Sequence, residues 1–278
     1  SSPIELTEVP THLPVIWVSQ SNDISLITKV RRQHDCYVRL LRELNIEVIE
    51  VNLQGSLHEK VLIENMAVIC HGIALLPKNS SPTKILKEIL QKDLGQTVID
   101  QVDPEANISC SDILFTGREF FVGISESTNE AGASTVAEAF PEFPCTPISK
   151  GAKGLKNYIT VAGSDILCVS ASKEAKELLK RIEREATFTY QTLTVPEDEA
   201  ANCLYVNGTL IHRAIEEIPE AFKLVLKLLT IPHKSRNLVS VDSSFSACML
   251  LSTCQVSKQY KFSLFKSLES VPGPILTM

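Results

Sequence analysis

Short apolar runs rich in β-branched residues occur in pairs along the chain, and a tight turn separates the two members of each pair. The four pairs begin at Asn65, Asp112, Asn157 and Asn202. Each turn contains glycine or another turn former, which is the pattern of a β-hairpin. Helical stretches follow the hairpins, and their apolar spacing predicts helices near Pro82–Lys92, Ser127–Phe140, Lys173–Arg184 and Pro219–Leu229.

The hairpins recur at intervals of 47, 45 and 45 residues, which predicts a repeat architecture. A fifth unit is expected from the strand PVIWVS, a helix around Leu26–Leu44, the strand EVIEV and the C-terminal run NLVSVDSSFSACMLLS. Five units around an axis would bring equivalent positions to one central pocket. The chain has no Gly/Ser-rich or Pro-rich linker, so we expect one domain over 1–253 and a C-terminal extension over 254–278.

Composition narrows the classes of function. The chain of 278 residues is 44% hydrophobic and 22% charged, which is typical of a globular protein. Its net charge of -6 leaves no basic surplus to attract phosphate, so no nucleic-acid partner is expected. No apolar run reaches the roughly 18 residues that a membrane span needs, and none is predicted.

The eight cysteines form no C-x-x-C pair, so we expect neither a structural zinc site nor any other bound metal. Several lie inside apolar runs, which indicates buried free thiols in a reducing, cytoplasmic compartment. Sequons at Asn79, Asn107 and Asn207 leave secretion open.

Several segments resemble the dimethylarginine dimethylaminohydrolase family closely. The longest is SDILFTGREFFVGISESTNEAGA from Ser111, and others are RRQHDCYVRLL from Arg31 and LTVPEDEAANCLYVN from Leu193. The resemblance extends over about residues 11 to 253, in the family's order. It implies the α/β fold of the guanidine-modifying superfamily, a five-bladed, pseudo-symmetric α/β propeller of ββαβ repeats. This fold agrees with the repeat pattern.

The family's chemistry requires a cysteine thiolate that attacks the guanidinium carbon and a histidine that moves protons. In the run that matches the nucleophile strand, Ala247 takes the place of the cysteine. Cys248 follows one residue later, and a one-residue offset on a strand points a side chain to the opposite face. A bulge would bring Cys248 back to the pocket, so it stays the alternative nucleophile. Gly154 takes the place of the histidine, and His212 is interpreted as structural.

The substrate contacts implied by the resemblance are also altered. Ser109 replaces the acidic residue that opens the family's D-G-G/T-D run, and Ser127 replaces an arginine of its R-T-N run. Arg118 matches a family position interpreted as structural, and the lid loop near 20–25 is short. The residues expected to line the remaining pocket, including a lysine in place of a second family arginine, are Glu59, Glu64, Asn65, Lys84 and Asp242.

We therefore interpret the chain as a hydrolase-like pseudoenzyme that needs no cofactor. Two binding roles fit this reading: a scaffold for a protein partner that the sequence does not name, and a binder of a small amino-acid-like ligand. The alternative is an active dimethylarginine- or arginine-type hydrolase that releases citrulline with Cys248 as its nucleophile.

Overall fold

A computed structural model describes most of the predicted repeat region. The described residues are 38–44, 47–50, 66–78, 83–149, 154–206, 208–213, 215–225, 237–240 and 262–265. The strands of all four predicted hairpins lie within these ranges, whereas Asn65 and the turn residue Asn207 lie outside them. The strand PVIWVS lies outside them, and of the first predicted helix only residues 38–43 are described as helical.

Four three-stranded sheets share one topology, with an antiparallel hairpin followed by a third strand that runs parallel to the second. A parallel third strand requires a crossover, and a helix supplies it in each unit. The first sheet contains β2 (Val68–Cys70), β3 (Ile73–Leu76) and β4 (Thr97–Asp100). The second contains β5 (Ile113–Phe115), β6 (Phe120–Ile124) and β7 (Cys145–Ser149).

The third and fourth sheets repeat this order. The third contains β8 (Ile159–Gly163), β9 (Ile166–Ser170) and β10 (Gln191–Val195). The fourth contains β11 (Leu204–Val206), β12 (Thr209–His212) and β13 (Asn237–Ser240). Because β13 pairs in parallel with β12, Asn237–Ser240 completes the fourth unit, and our assignment of these four residues to the fifth unit was wrong. The rest of that run, residues 241–252, lies outside the described residues.

The crossover helices fall where the sequence predicts them. They are α1 (Thr83–Glu88), α2 (Glu130–Ala139), α3 (Lys173–Glu185) and α4 (Pro219–Val225). Helix α1 continues as a π-helical stretch over Ile89–Asp93. Side chains of Asn129 and Ser172 cap α2 and α3 by accepting hydrogen bonds from backbone N–H groups in the first turn.

A fifth sheet pairs β1 (Glu47–Glu50) with β14 (Phe262–Phe265) in parallel. Strand β1 is the predicted EVIEV strand. Strand β14 belongs to the segment predicted as a C-terminal extension, so that segment contributes a strand to the fifth sheet. The domain boundary at residue 253 itself stays a prediction.

The hairpin turns use left-handed backbone at the expected places. Gly72, Gly117 and Gly208 have φ of 81°, 95° and 77°, a region that glycine adopts without steric cost. In the third hairpin Asp165, at φ 60°, takes this role, and the predicted turn residue Gly163 lies in β8 instead.

The hairpin strands of the second sheet are buried on both faces because this sheet is packed between the first and the third. Phe120 and Val122 of β6 join a core cluster with Val68 and Leu75 of the first sheet. Phe121, between them, points to the opposite face. There it joins a cluster with Leu114 and with residues of the third sheet, among them Ile159, Leu167 and Val169. The sheets therefore stack side by side, as blades do.

A buried carboxylate ties the second blade to the third. Glu119 is fully buried and accepts hydrogen bonds from the N–H groups of Thr187 and Phe188, at 3.0 and 3.1 Å, and from the Tyr190 hydroxyl at 2.7 Å. The guanidinium of the adjacent Arg118 lies 3.9 Å from the centroid of the Phe188 ring. These contacts fit the structural role expected for Arg118.

We predict that Glu119→Ala lowers the free energy of unfolding by on the order of 3 kcal/mol, because two part-buried N–H groups and the Tyr190 hydroxyl lose their acceptor. Chemical denaturation of the full chain measures this loss. The exposed Glu126→Ala serves as control and should change stability by less than about 0.5 kcal/mol. Equal losses in the two variants would contradict the anchoring role.

Candidate functional site

Most of the predicted pocket residues lie outside the described part of the chain. These are Glu59, Glu64, Asn65 and Asp242, together with Ala247, Cys248 and the shortened lid loop. Lys84 is described, and it is an exposed residue in the first turn of α1. The structure therefore informs on the site through the segments that carry Ser109, Ser127 and Gly154.

A second buried carboxylate, Asp112, joins these three segments. One of its oxygens accepts hydrogen bonds from the hydroxyls of Ser125 at 3.0 Å and Thr128 at 2.8 Å, and the other accepts from the N–H of Leu155 at 3.1 Å. Asp112 is 1% exposed, so its charge depends on these donors. It holds the 3-10 turn Cys110–Asp112 against the 3-10 turn Leu155–Asn157, which immediately follows Gly154.

Hydroxyl groups occupy the place where the family has a carboxylate. The hydroxyls of Ser109 and Ser111 lie 2.8 Å apart, in hydrogen-bond contact, and both residues are partly buried. The N–H of Ser109 donates to Thr128 Oγ1 at 3.0 Å, which fixes the turn. A serine pair donates and accepts hydrogen bonds but carries no charge. The hydroxyls of Ser109 and Ser111 therefore offer no ionic partner to a guanidinium.

Gly154 and Ser111 are packed against each other. A β-carbon placed at Gly154 would lie 2.7 Å from Ser111 Oγ, 2.9 Å from Ser111 Cβ and 3.1 Å from Asn157 Nδ2. Rotation of the serine hydroxyl relieves only the first of these contacts, because the β-carbon of Ser111 is itself too close. Gly154 has φ -55° and ψ 146°, which any residue can adopt. The side chain of Ser111, rather than the backbone at 154, therefore excludes a larger residue there.

Sequence reasoning identified Gly154 but missed Ser111 as its partner. The sequence carried little signal, because the family pattern allows glycine or threonine at the position that Ser111 matches. The proximity of residues 111 and 154 arises from the stacking of the second and third blades, which a local motif does not report.

In the run Ser127–Thr128–Asn129, the last two residues stabilise the start of α2. Ser127, in place of the family arginine, is exposed, and its N–H donates to Ser125 Oγ at 3.0 Å. Asn129 Oδ1 accepts from the N–H groups of Gly132 at 2.8 Å and Asn107 at 3.0 Å. Thr128 and Asn129 therefore hold the start of α2, and the substituted position carries no anchoring side chain.

His212 lies inside the fourth blade. It is 1% exposed, its Nδ1 is 2.7 Å from the carbonyl oxygen of Arg213, and its ring centroid is 5.5 Å from that of Phe222 on α4. Burial lowers the pKa of this imidazole, and the hydrogen bond to the Arg213 carbonyl opposes that shift. These contacts are those of a neutral core histidine, in keeping with the structural role expected for it.

The described residues contain neither a metal-binding cluster nor a membrane-spanning helix. No group of three or more His, Cys, Asp or Glu side chains within them is arranged to hold a metal ion. Among the helices described, none has the length and apolar character that crossing a bilayer requires.

Comparison with known proteins places the chain among relatives. No protein-family model matches it. It is 30% identical over 246 residues to the human protein named putative hydrolase DDAH2, a match that covers 82% of this chain and 86% of that protein.

Solved structures share the fold. A Cys-to-Ser mutant of dimethylarginine dimethylaminohydrolase from Pseudomonas aeruginosa, complexed with citrulline, superposes with a TM-score of 0.61 at 19% identity over 80% of this chain and 84% of that one. The amidinotransferase SxtG from Microseira wollei superposes with a TM-score of 0.64 at 10% identity over 84% and 83% of the two chains. The fold is thus the α/β propeller of these enzymes, and the chain belongs to the dimethylarginine dimethylaminohydrolase family.

Proposed function

We propose that this chain is a catalytically inactive member of its family, whose fold serves as an interaction scaffold and whose remaining pocket binds a small amino-acid-like ligand. The observation that carries the proposal is the packing of Ser111 against Gly154. The oxygen and β-carbon of Ser111 lie where a side chain at position 154 would begin. A histidine therefore has no room there unless Ser111 or the backbone shifts.

The lost groups are those that break and form bonds. The family reaction needs a thiolate for attack and an imidazole that protonates the leaving amine and then activates water. Ala247 and Gly154 supply neither. Removal of a nucleophile or of its proton shuttle lowers the rate of an enzyme by several orders of magnitude, and the two losses together leave little for the remaining groups to recover.

The altered charges favour a different ligand. A buried guanidinium is stable only when carboxylates neutralise it, and Ser109 supplies a hydroxyl in the place of one. Glu59, Glu64, Asn65, Lys84 and Asp242 form the proposed ligand-binding set. Such a mixed set suits a zwitterionic amino acid. The hydroxyl at 109 neutralises no charge, which shifts the balance toward a neutral polar side chain and away from a guanidinium.

The scaffold role is inferred from the structural features that surround the altered site. The blades, hairpin turns, helix caps and buried carboxylates of Glu119 and Asp112 are intact beside the altered site. Selection that keeps a fold without its chemistry points to recognition of another molecule, and we propose a protein partner. The competing function is hydrolysis with Cys248 as nucleophile and an acid/base group from elsewhere in the chain.

We predict no citrulline release from dimethylarginine or arginine above the background set by Cys248→Ser, even at high protein concentration. A colorimetric or mass-spectrometric assay of citrulline measures it. Turnover that disappears in Cys248→Ser would overturn the proposal and establish the competing hydrolase.

A second expectation concerns the contact between Ser111 and Gly154. Gly154→His should lower the free energy of unfolding by on the order of 2 kcal/mol, and Ser111→Gly in the same chain should recover about half of that loss or more. The readout is a double-mutant cycle from chemical denaturation. As a matched control, Ser127→Gly combined with Gly154→His should be additive within about 0.5 kcal/mol. If the effects of Ser111→Gly and Gly154→His on the free energy of unfolding are additive, Ser111 does not exclude a larger side chain at position 154.

Ligand preference provides a further test. Citrulline should raise the thermal midpoint more than dimethylarginine at equal concentration, because a ligand stabilises a protein according to its concentration relative to its dissociation constant. Ser109→Asp should shift the preference toward dimethylarginine by restoring a carboxylate. If neither compound moves the midpoint of either protein, the small-ligand part of the proposal fails and the scaffold part stands alone.

A further inference from the structure

Two cysteines meet in the core between the third and fourth blades. Cys168 lies on β9 and Cys203 directly precedes β11, and they are 1% and 3% exposed. Both belong to the apolar cluster that joins the two blades, with Leu210 of β12 among its members. In the sequence they are separated by a helix and a strand, so only the stacking of the blades brings them together.

Thr160 on β8 shows how closely they approach. Thr160 is the register partner of Cys168 across the β8–β9 hairpin. Its hydroxyl oxygen is 3.3 Å from Cys203 Sγ, and it also accepts a hydrogen bond from the Cys203 N–H at 3.4 Å. The sulfur of Cys168 lies 3.6 Å from the carbonyl oxygen of Ala200, three residues before Cys203, in the same buried cluster. The two thiols are therefore direct neighbours.

The environment separates this pair from the other described cysteines. Burial raises the pKa of Cys70 to about 12 and that of Cys145 to about 11, which keeps both thiols protonated and inert. At Cys203 the hydrogen bond from Cys168 lowers the pKa, with a further contribution from Thr160, although burial opposes both. The pKa of Cys168 is raised. Of the two thiols, Cys203 is therefore the one whose environment favours the thiolate, and it is the expected nucleophile.

We propose that Cys168 and Cys203 are a redox modification site, which a small peroxide converts to an intramolecular disulfide that joins the third and fourth blades. The Cys203 thiolate attacks one peroxide oxygen, which breaks the O–O bond and leaves a sulfenic acid. The Cys168 sulfur then attacks the sulfenic sulfur, and its proton leaves with the displaced oxygen as water. In total, two thiols and one hydrogen peroxide yield one disulfide and two waters, so the sulfurs lose two electrons and the peroxide gains them.

The burial of the pair also selects the oxidant. A peroxide is small enough to enter during local opening of the blade interface, whereas a tripeptide disulfide such as oxidised glutathione is not. The product is therefore an internal disulfide rather than a mixed one. This inference does not depend on the proposed function, because neither cysteine belongs to the predicted pocket.

The test is peroxide treatment of the full chain, followed by alkylation of free thiols, digestion without reductant and mass spectrometry. We expect a cross-linked peptide that joins Cys168 to Cys203, two hydrogens lighter than the reduced pair and cleaved by dithiothreitol. It should form about tenfold or more faster than oxidation of Cys70 or Cys145. All eight cysteines, including Cys36, Cys248 and Cys254, are followed in the same digest. The proposal is overturned if Cys168 and Cys203 are still free thiols, and therefore alkylated, after a peroxide treatment that oxidises Cys145.

Single variants report the order of the steps. In Cys168→Ser the reaction should stop at a sulfenic acid on Cys203, which dimedone traps, whereas Cys203→Ser should leave Cys168 unreactive. Cys110→Ser, a buried cysteine of another core cluster, is the matched control and should keep the disulfide. If a variant does not fold, the digest of the unmodified chain still decides the outcome.

Discussion

The arrangement of the candidate site depends on one buried carboxylate. Asp112 accepts hydrogen bonds from the segment before α2 and from the turn after Gly154, while its own turn carries Ser109 and Ser111. A charge at 1% exposure is tolerable only when each oxygen has donors, so the three segments must come together for the chain to fold at all. Stability alone therefore preserves the frame of the site, whatever chemistry the frame supports.

This coupling explains how catalysis can be lost without loss of the fold. The groups that hold the frame, among them Thr128 and Asn129, point into the structure and remain. The side chain of Ser127 is exposed and holds none of these segments, so this position can change without loss of the fold. Gly154 differs, because Ser111 confines it.

The same stacking of blades that forms the site also forms the thiol pair. Residues remote in sequence meet where the third blade packs against the second and against the fourth. At the interface of the third and fourth blades two of these residues are cysteines, and Thr160 lies against one of them. In the sequence, Cys168 and Cys203 each read as an ordinary core residue. Only the packing of the two blades brings them close to each other.

The sequence by itself determined the repeat, the positions of the hairpins and helices, and the substitutions at 109, 127, 154 and 247. It did so because turn chemistry and apolar periodicity are local, and because a substitution in a motif is visible residue by residue. It placed Asn237–Ser240 in the wrong unit, since strand pairing is decided by a partner that local pattern does not name. The tertiary structure alone decided that Ser111 faces Gly154 and that Cys168 meets Cys203, because contacts between blades depend on how the sheets stack.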